Sequence, residues 1–310
     1  MSSSTGVQVV SGILNTMLGL ATPFLYASIG EVFAQRSGVV NLGVDGIMLL
    51  GAFAAFYVTL MSGSLALGLA AAILVGLAMG LLMSVVSVSL KAEQGVSGIG
   101  LYMLGLGLSS LLFKVLVGTV KTVPTFPPIA IPLLSSIPFL GPIFFANDIL
   151  VYAAFLLVPA AWLLLERTTF GLKVEAVGQN PAAADSLGIN VNRVRYICVC
   201  LGAALAGVAG ASLSISELGL FQDDLTAGQG FIAVALVYFG GWRAGGVLLG
   251  ALLFSVVNSI QLWMQVLGVN LPSSVAVMLP YALTIAALCV ASNRVRQPAA
   301  LNKPFERGES

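Results

Sequence analysis

Glu166-Arg167-Thr168-Thr169-Phe170-Gly171-Leu172-Lys173-Val174-Glu175-Ala176-Val177-Gly178-Gln179-Asn180-Pro181-Ala182-Ala183-Ala184-Asp185-Ser186-Leu187-Gly188-Ile189-Asn190-Val191-Asn192-Arg193-Val194-Arg195 is the longest polar interruption in the chain. Long apolar segments flank it on both sides. Asn180 can cap a helix, and Pro181 suits the first helical turn. Ala182 to Leu187 then favours a short helix, and Gly188 can stop it. The stretch predicts a structured loop, not a floppy tether. On the positive side of a membrane protein, such a helix is well placed to dock a soluble partner. An ordinary loop that only orients the protein is the alternative.

Working outward, composition sets the class. Of 310 residues, 58% are hydrophobic and 8% charged, with a mean hydropathy of +1.04. A soluble domain carries about 25% charged residues. The expected fold is therefore all-α, a polytopic transmembrane helix bundle whose apolar surface faces lipid. A net charge of +1 gives no field for nucleic acid. The absence of His removes the commonest metal ligand and general base. Cys198, Cys200 and Cys289 lie in apolar segments and read as small core residues, so no metal site is expected. Met1 to Gln8 lacks a positive n-region and a cleavage site, which argues against a cleaved signal peptide.

Runs near the ~20 residues needed to cross a bilayer are Val9–Ala34, Val39–Met61, Leu65–Leu90, Gly98–Val120, Ile149–Leu165, Tyr196–Ile215, Phe231–Gly240, Val247–Leu267 and Ser273–Ala291. They predict about nine spans with broken helices. Between the fourth and fifth lies a loop, residues 121–147, with Pro124, Pro127, Pro128, Pro132, Pro138 and Pro142; that density opposes a continuous helix. Gly46–Ala52 resembles Gly245–Ala251, which suggests two weakly repeated halves; two unrelated Gly/Leu helices are the alternative. Gly76-x-x-x-Gly80 and Gly246-x-x-x-Gly250 permit close helix contact.

Basic residues set the orientation. Arg167, Lys173, Arg193 and Arg195 put the central loop, 166–195, in the cytoplasm. Arg294, Arg296, Lys303 and Arg307 put the C-terminus there too. Arg36, Lys91 and Arg243 then fall inside, and the Pro-rich loop and Glu217–Gly228 outside, with Lys114 and Lys121 as exceptions. The N-terminus falls outside.

Polar groups within or beside spans are functional candidates, because burying them is costly. Glu31, Arg36, Asn41 and Asp45 cluster around the first break. Asp45 can brace that break, through Arg36 or backbone N–H groups, or can accept hydroxyl donors from a solute. Glu93 and Ser97 form a second polar patch. Tyr102 offers a ring for stacking a base or flavin-like ring, or is a packed interfacial Tyr. Phe231 and Tyr238 flank the second break with Phe239, Trp242 and Arg243. Asn258 and Gln261 share a helix face and can line a path or join helices. Asn41, Asp45, Glu93, Ser97, Tyr102, Phe231, Tyr238 and Asn258 are thus the candidates for a substrate path.

Gly171-Leu172, Ala176-Val177-Gly178-x-Asn180-Pro181-x-Ala183-Ala184 and Gly188-Ile189-Asn190-Val191 resemble the coupling loop of permease subunits of ATP-binding-cassette (ABC) importers, in the branch for simple sugars, nucleosides and branched-chain amino acids. Glu31 through Gly51 resembles a segment of the nucleoside-type permeases. The resemblance implies one permease domain over residues 1–310. It implies that Gly171, Glu175, Gly178, Asn180, Pro181, Ala183, Ala184 and Gly188 engage an ATPase subunit. The family often has Arg where this chain has Glu175, and commonly Glu at Asp45. It has Ala-Asp-Gln-Val-Val-Ser-Gly near Glu93, followed by an Asn where this chain has Tyr102.

The implied function is the transmembrane permease subunit of an ATP-driven importer for nucleosides or simple sugars. Branched-chain amino acids and flavin-like solutes are the alternatives. The implied partners are an ABC ATPase, a second permease subunit (homologous or identical), an extracytoplasmic solute-binding protein and the lipid of a bacterial plasma (inner) membrane; nucleic acid is not expected. The sequence has no Gly-x-x-x-x-Gly-Lys-Ser/Thr loop, so ATP and magnesium are expected on the partner and no cofactor on this chain. A stand-alone secondary transporter would need ion-coupling acids at midplane, where Asp45 is the obvious one. An enzyme would need a nucleophile–base pair, and none is recognisable.

Overall fold

The computed structural model describes residues 2–130, 140–267, 278, 282 and 297–306. The helices are α1 (Ser2–Arg36), α2 (Val44–Ser62), α3 (Leu65–Ser84), α4 (Gln94–Leu116), α5 (Leu140–Phe144), α6 (Ile149–Arg167), α7 (Thr169–Gln179), α8 (Pro181–Ser186), α9 (Val191–Ala211), α10 (Gln229–Phe239) and α11 (Ala244–Val266). Single π-helical turns extend α3 over Val85–Ser89 and α9 over Ser212–Glu217. The all-α expectation holds, apart from two-residue strands β1 (Ile129–Ala130) and β2 (Ala146–Asn147). They pair antiparallel inside the Pro-rich loop.

Among the described residues, seven helices are long and apolar enough to cross a membrane. Two of the nine expected spans are not among them. Phe231–Gly240 belongs to α10, which has 11 residues and is about 16 Å long at 1.5 Å per residue, half a hydrocarbon core of about 30 Å. Ser273–Ala291 lies outside the described residues, apart from Met278 and Ala282. So do Pro132, Pro138, Cys289, Arg294, Arg296 and Arg307.

The bundle is built around α9, the most enclosed of the long helices, which packs against α1, α2 and α3. Small residues make this possible. Gly30 of α1 and Gly202 of α9 meet so closely that a Cβ on either would lie 2.6 Å from the other's carbonyl oxygen. A Cβ on Gly80 would lie 2.6 Å from the Ala203 methyl of α9, so the Gly76/Gly80 face is a helix contact. Cys198 is buried in this core, as its apolar surroundings require.

Contacts fix which ends lie together. At the central-loop end, Ser89 bonds Tyr196 of α9's second turn, and Lys91 pairs with Glu306 of the C-terminal segment at 2.7 Å. At the far end, Thr122 bridges Leu220, and the Val123 N–H donates to Gly219 O at 2.8 Å. The far end of α11 meets the beginning of α1: Trp263 Nε1 donates to Thr16 Oγ1, and Ser259 Oγ donates to Ile13 O. The chain thus leaves α11 at the far end and reappears over 297–306 at the central-loop end.

Candidate functional site

Two non-helical legs bring two helix N-termini together inside the bundle. Residues 37–43 lead from Arg36, at the central-loop end, to the start of α2. Residues 218–228 lead from the far end to the start of α10. The α2 and α10 N-termini meet at Asp45, which is fully buried in the first turn of α2. Its Oδ1 accepts the Gly230 N–H of α10 at 2.7 Å, and its Oδ2 accepts Thr226 Oγ1 at 3.0 Å. A helix start carries unsatisfied N–H groups and a positive dipole end. Gly228, the N-cap of α10, has no side chain to answer them. One carboxylate therefore neutralises two helix starts. The contact is backbone-close: a Cβ on Gly230 would overlap the Asp45 backbone.

Of the two roles open to Asp45, the geometry is that of a brace, and its partners come from α10 and the leg before it. Arg36 is not among them. It pairs with Glu166 at 2.8 Å and Glu175 at 3.7 Å. Glu31 accepts Gln35 Nε2 at 3.1 Å, and Gln35 Oε1 accepts Trp242 Nε1 at 2.9 Å. Both are buried, so this chain of bonds fastens the turn after α10 to the last turns of α1.

The remaining path candidates separate. Tyr102 and Phe231 come together edge to face, ring centroids 5.1 Å apart, beside the joint. Gly46, next to Asp45, rests on the Tyr102 backbone. Tyr238 stacks edge to face on Trp242, with centroids 4.8 Å apart, at the other end of α10. Asn41 is buried and spends its side-chain oxygen on the Gly43 N–H at 2.9 Å, a local turn. Glu93 and Ser97 shape the start of α4: Glu93 accepts the Gly95 and Val96 N–H groups, and Ser97 Oγ donates to Glu93 O. Tyr102 lies nine residues beyond Glu93 along α4, about 13 Å away. Asn258 is half-buried on α11, and Gln261 is buried one turn later. The sequence echo falls on unlike surroundings. Gly46 faces α4, whereas Gly246 packs on the Gly240 turn.

At the central-loop end the expected short helix is present as α8. Asn180 Oδ1 caps it through the Ala183 N–H at 3.0 Å, Pro181 opens it, and Gly188 follows it at φ +81°. Ala184 anchors it in the core; Ala183 and Gly188 are exposed, and Leu187 is 81% exposed. The sequence did not separate out α7, which precedes it, capped by Thr168. Gly171 turns α7 off the end of α6: an added Cβ would overlap Leu165 O. Gly178 sits on the Arg36 carbonyl. Glu175 faces Arg36, so its charge is answered within the chain. A cleft of about 370 Å³ opens here between Arg36, Glu166, Glu175, Trp162 and Trp242.

Sequence reasoning missed four positions of consequence: Thr226 and Gly230 at the joint, Gln35, and Arg195. Arg195 counted only as a positive charge, yet it is 1% exposed. One signal was available, since Val191, Arg195, Cys198 and Gly202 share the buried face of α9.

A family model described as branched-chain amino acid transport system / permease component matches residues 13–288. The chain is 36% identical to a Haloferax volcanii protein named "Putative glucose ABC transporter permease protein TsgC13", over 96% of this chain and 98% of that one. It is 36% identical to the guanosine ABC transporter permease protein NupQ of Bacillus subtilis, over 98% and 99%. It is 37% identical to the nucleoside ABC transporter permease protein NupC of Lactococcus lactis, over 95% and 96%. No solved structure matches the chain.

Proposed function

The chain belongs to the branched-chain amino acid transport system permease family, and from that premise we propose that it forms the membrane path of an ABC importer for nucleosides or simple sugars. It is a multi-pass membrane protein. The family implies a separate ATPase and a solute-binding protein. The ATPase supplies ATP and magnesium, and engages α7 and α8 through exposed Ala183, Leu187 and Gly188. A second permease subunit completes the path. This chain has no catalytic role. ATP-driven closure of the ATPase moves α7 and α8, and the joint at Asp45 changes its access between the two sides.

The observation that carries the substrate class is the buried carboxylate between two helix starts. Helix N-termini inside a transporter commonly receive a substrate carboxylate. Here the chain's own Asp45 occupies that role, so an anionic headgroup gains nothing at this place. A neutral, hydroxyl-rich solute with a flat ring suits the adjacent Tyr102–Phe231 pair. Both likenesses named for nucleosides or guanosine agree with that choice.

We infer a path of nine crossings with the C-terminus in the cytoplasm of a bacterial plasma membrane. The leg 218–228 plus α10 counts as one crossing, since it connects the two ends. The ninth expected crossing, Ser273–Ala291, falls outside the described residues, and the chain is again at the central-loop end over 297–306. The central-loop end, rich in Arg and Lys, then faces the cytoplasm. Uptake of labelled guanosine, glucose and leucine into vesicles holding the complete transporter tests the proposal. ATP-dependent uptake of guanosine or glucose supports it. Leucine uptake alone, or uptake without ATP, overturns it.

A further inference from the structure

Four segments distant in sequence are tied together at the central-loop end. The Ala300 N–H donates to Gly178 O at 2.9 Å, on the last turn of α7. The Asn302 N–H donates to Gly38 O at 3.2 Å, in the leg that leads to α2. Arg195 of α9 donates through Nε to Ser37 O at 3.2 Å and through Nη1 to Lys303 O at 3.0 Å. Residues 298–303 thus form a strap with α7 on one side, the leg on the other and a buried guanidinium between. Both Pro298 and Ala300 are buried, and Leu301 and Phe305 pack on the core.

The fit is tight where it matters. Gly38 adopts φ +94°, and a Cβ there would meet Arg195 Nη2 at 2.9 Å and Ala300 O at 3.0 Å. Asp45 follows Gly38 by seven residues. A displacement of α7 therefore meets an unbroken series of bonds to the leg, and the leg ends at the joint. A planar guanidinium suits this place because its fork spans two carbonyls at once; a Lys ammonium reaches one.

We propose that Arg195 and the strap 298–303 are positioning elements that carry movement of α7 and α8 into the leg preceding α2. This rests on α7 and α8 being the face that the ATPase engages. Coupling through a contiguous network requires a coupling measurement. The full transporter is prepared with Cys198, Cys200 and Cys289 replaced and with Ala227→Cys as reporter beside Thr226. Thiol labelling at that site is timed with and without ATP plus vanadate, alongside ATP hydrolysis and ATPase co-purification. Ala300→Pro deletes the bond to Gly178, and Ala300→Gly keeps it.

In the parent, ATP changes the labelling rate at least fivefold. In Ala300→Pro and Arg195→Met that change falls below twofold, while hydrolysis and co-purification stay within twofold of the parent. Ala300→Gly behaves as the parent, and Arg195→Lys lies between. A full ATP response in Ala300→Pro overturns the proposal, as does an Ala300→Gly as defective as Ala300→Pro. So does loss of the ATPase from Ala300→Pro and Arg195→Met, which reduces the strap to a docking support. A parent that binds no ATPase sinks the coupling reading itself, a separate result.

Discussion

Asp45 and Glu93 do the same local chemistry in two settings. Each carboxylate accepts hydrogen bonds from donors at a helix start: Asp45 from Gly230 and Thr226 at α10, Glu93 from Gly95 and Val96 at α4. Glu93 caps its own helix and is exposed to solvent. Asp45 caps another helix and has no solvent contact. Water can replace Glu93. Nothing replaces Asp45, because an unsatisfied buried donor costs about 1–3 kcal/mol. The difference assigns Glu93 to local folding and Asp45 to the joint on which the starts of α2 and α10 depend.

The hardest blow to that contrast is Asp45→Ala. It strands the Gly230 N–H and the Thr226 hydroxyl and leaves two helix dipoles unanswered. Thermal unfolding of the purified protein should register a loss of about 1–3 kcal/mol for each stranded group. Asp45→Asn keeps an acceptor and should recover part of it. An Asp45→Ala protein as stable as the parent breaks the comparison. Gly230→Ala probes the same contact from the other side. Its methyl would overlap the Asp45 backbone, so α2 and α10 must separate. Overpacking of this kind costs about 1–3 kcal/mol. Unchanged stability there would mean that the two helix starts are not pressed together.

The same contrast explains what was legible in the sequence. Capping is local, so Asn180, Pro181 and Gly188 disclosed α8 without any tertiary knowledge. Glu93 is equally local and open to the same reasoning, although its place beside an apolar run marks it as a path candidate instead of a cap. Apolar runs disclosed the long helices for a related reason, since length and composition suffice. Asp45 was legible as a buried acid in need of a partner. That partner was not, because Gly230 stands 185 residues away. The half-length of α10 was hidden too: the leg 218–228 contains Phe221 and Leu225, whose apolar character gives no sign of a non-helical, turn-rich backbone. Arg195 obeyed the rule for loop charges while sitting on a buried face.

Glu175 is an intermediate case and sharpens the scale. It is exposed yet lies 3.7 Å from Arg36, which Glu166 also engages at 2.8 Å. Exposed pairs are worth about 0–1 kcal/mol. Glu175→Arg, which installs the residue often found in the family, should therefore lower stability by less than about 1 kcal/mol. It should show instead as weaker co-purification of the ATPase, because Arg36 and the new Arg then crowd one face. A stability loss as large as that of Asp45→Ala would place Glu175 among the structural carboxylates.

The smallest effect belongs to Glu93, and it carries a pH signature. The Val96 N–H, then the Gly95 N–H, hold its carboxyl below the usual carboxylate range, with a further contribution from Asn302. A carboxyl whose folded value is depressed stabilises the fold while it is charged. That contribution is complete above the unfolded value of about 4.3 and disappears as pH falls through the folded one. Unfolding curves of the parent and Glu93→Gln should therefore differ slightly at neutral pH and converge on acidification. The gap stays small because solvent screens an exposed group and water can take over the two N–H groups. A gap that persists at low pH would trace to side-chain shape instead of charge, and a gap that widens would reverse the sign of the linkage and remove Glu93 from the pair.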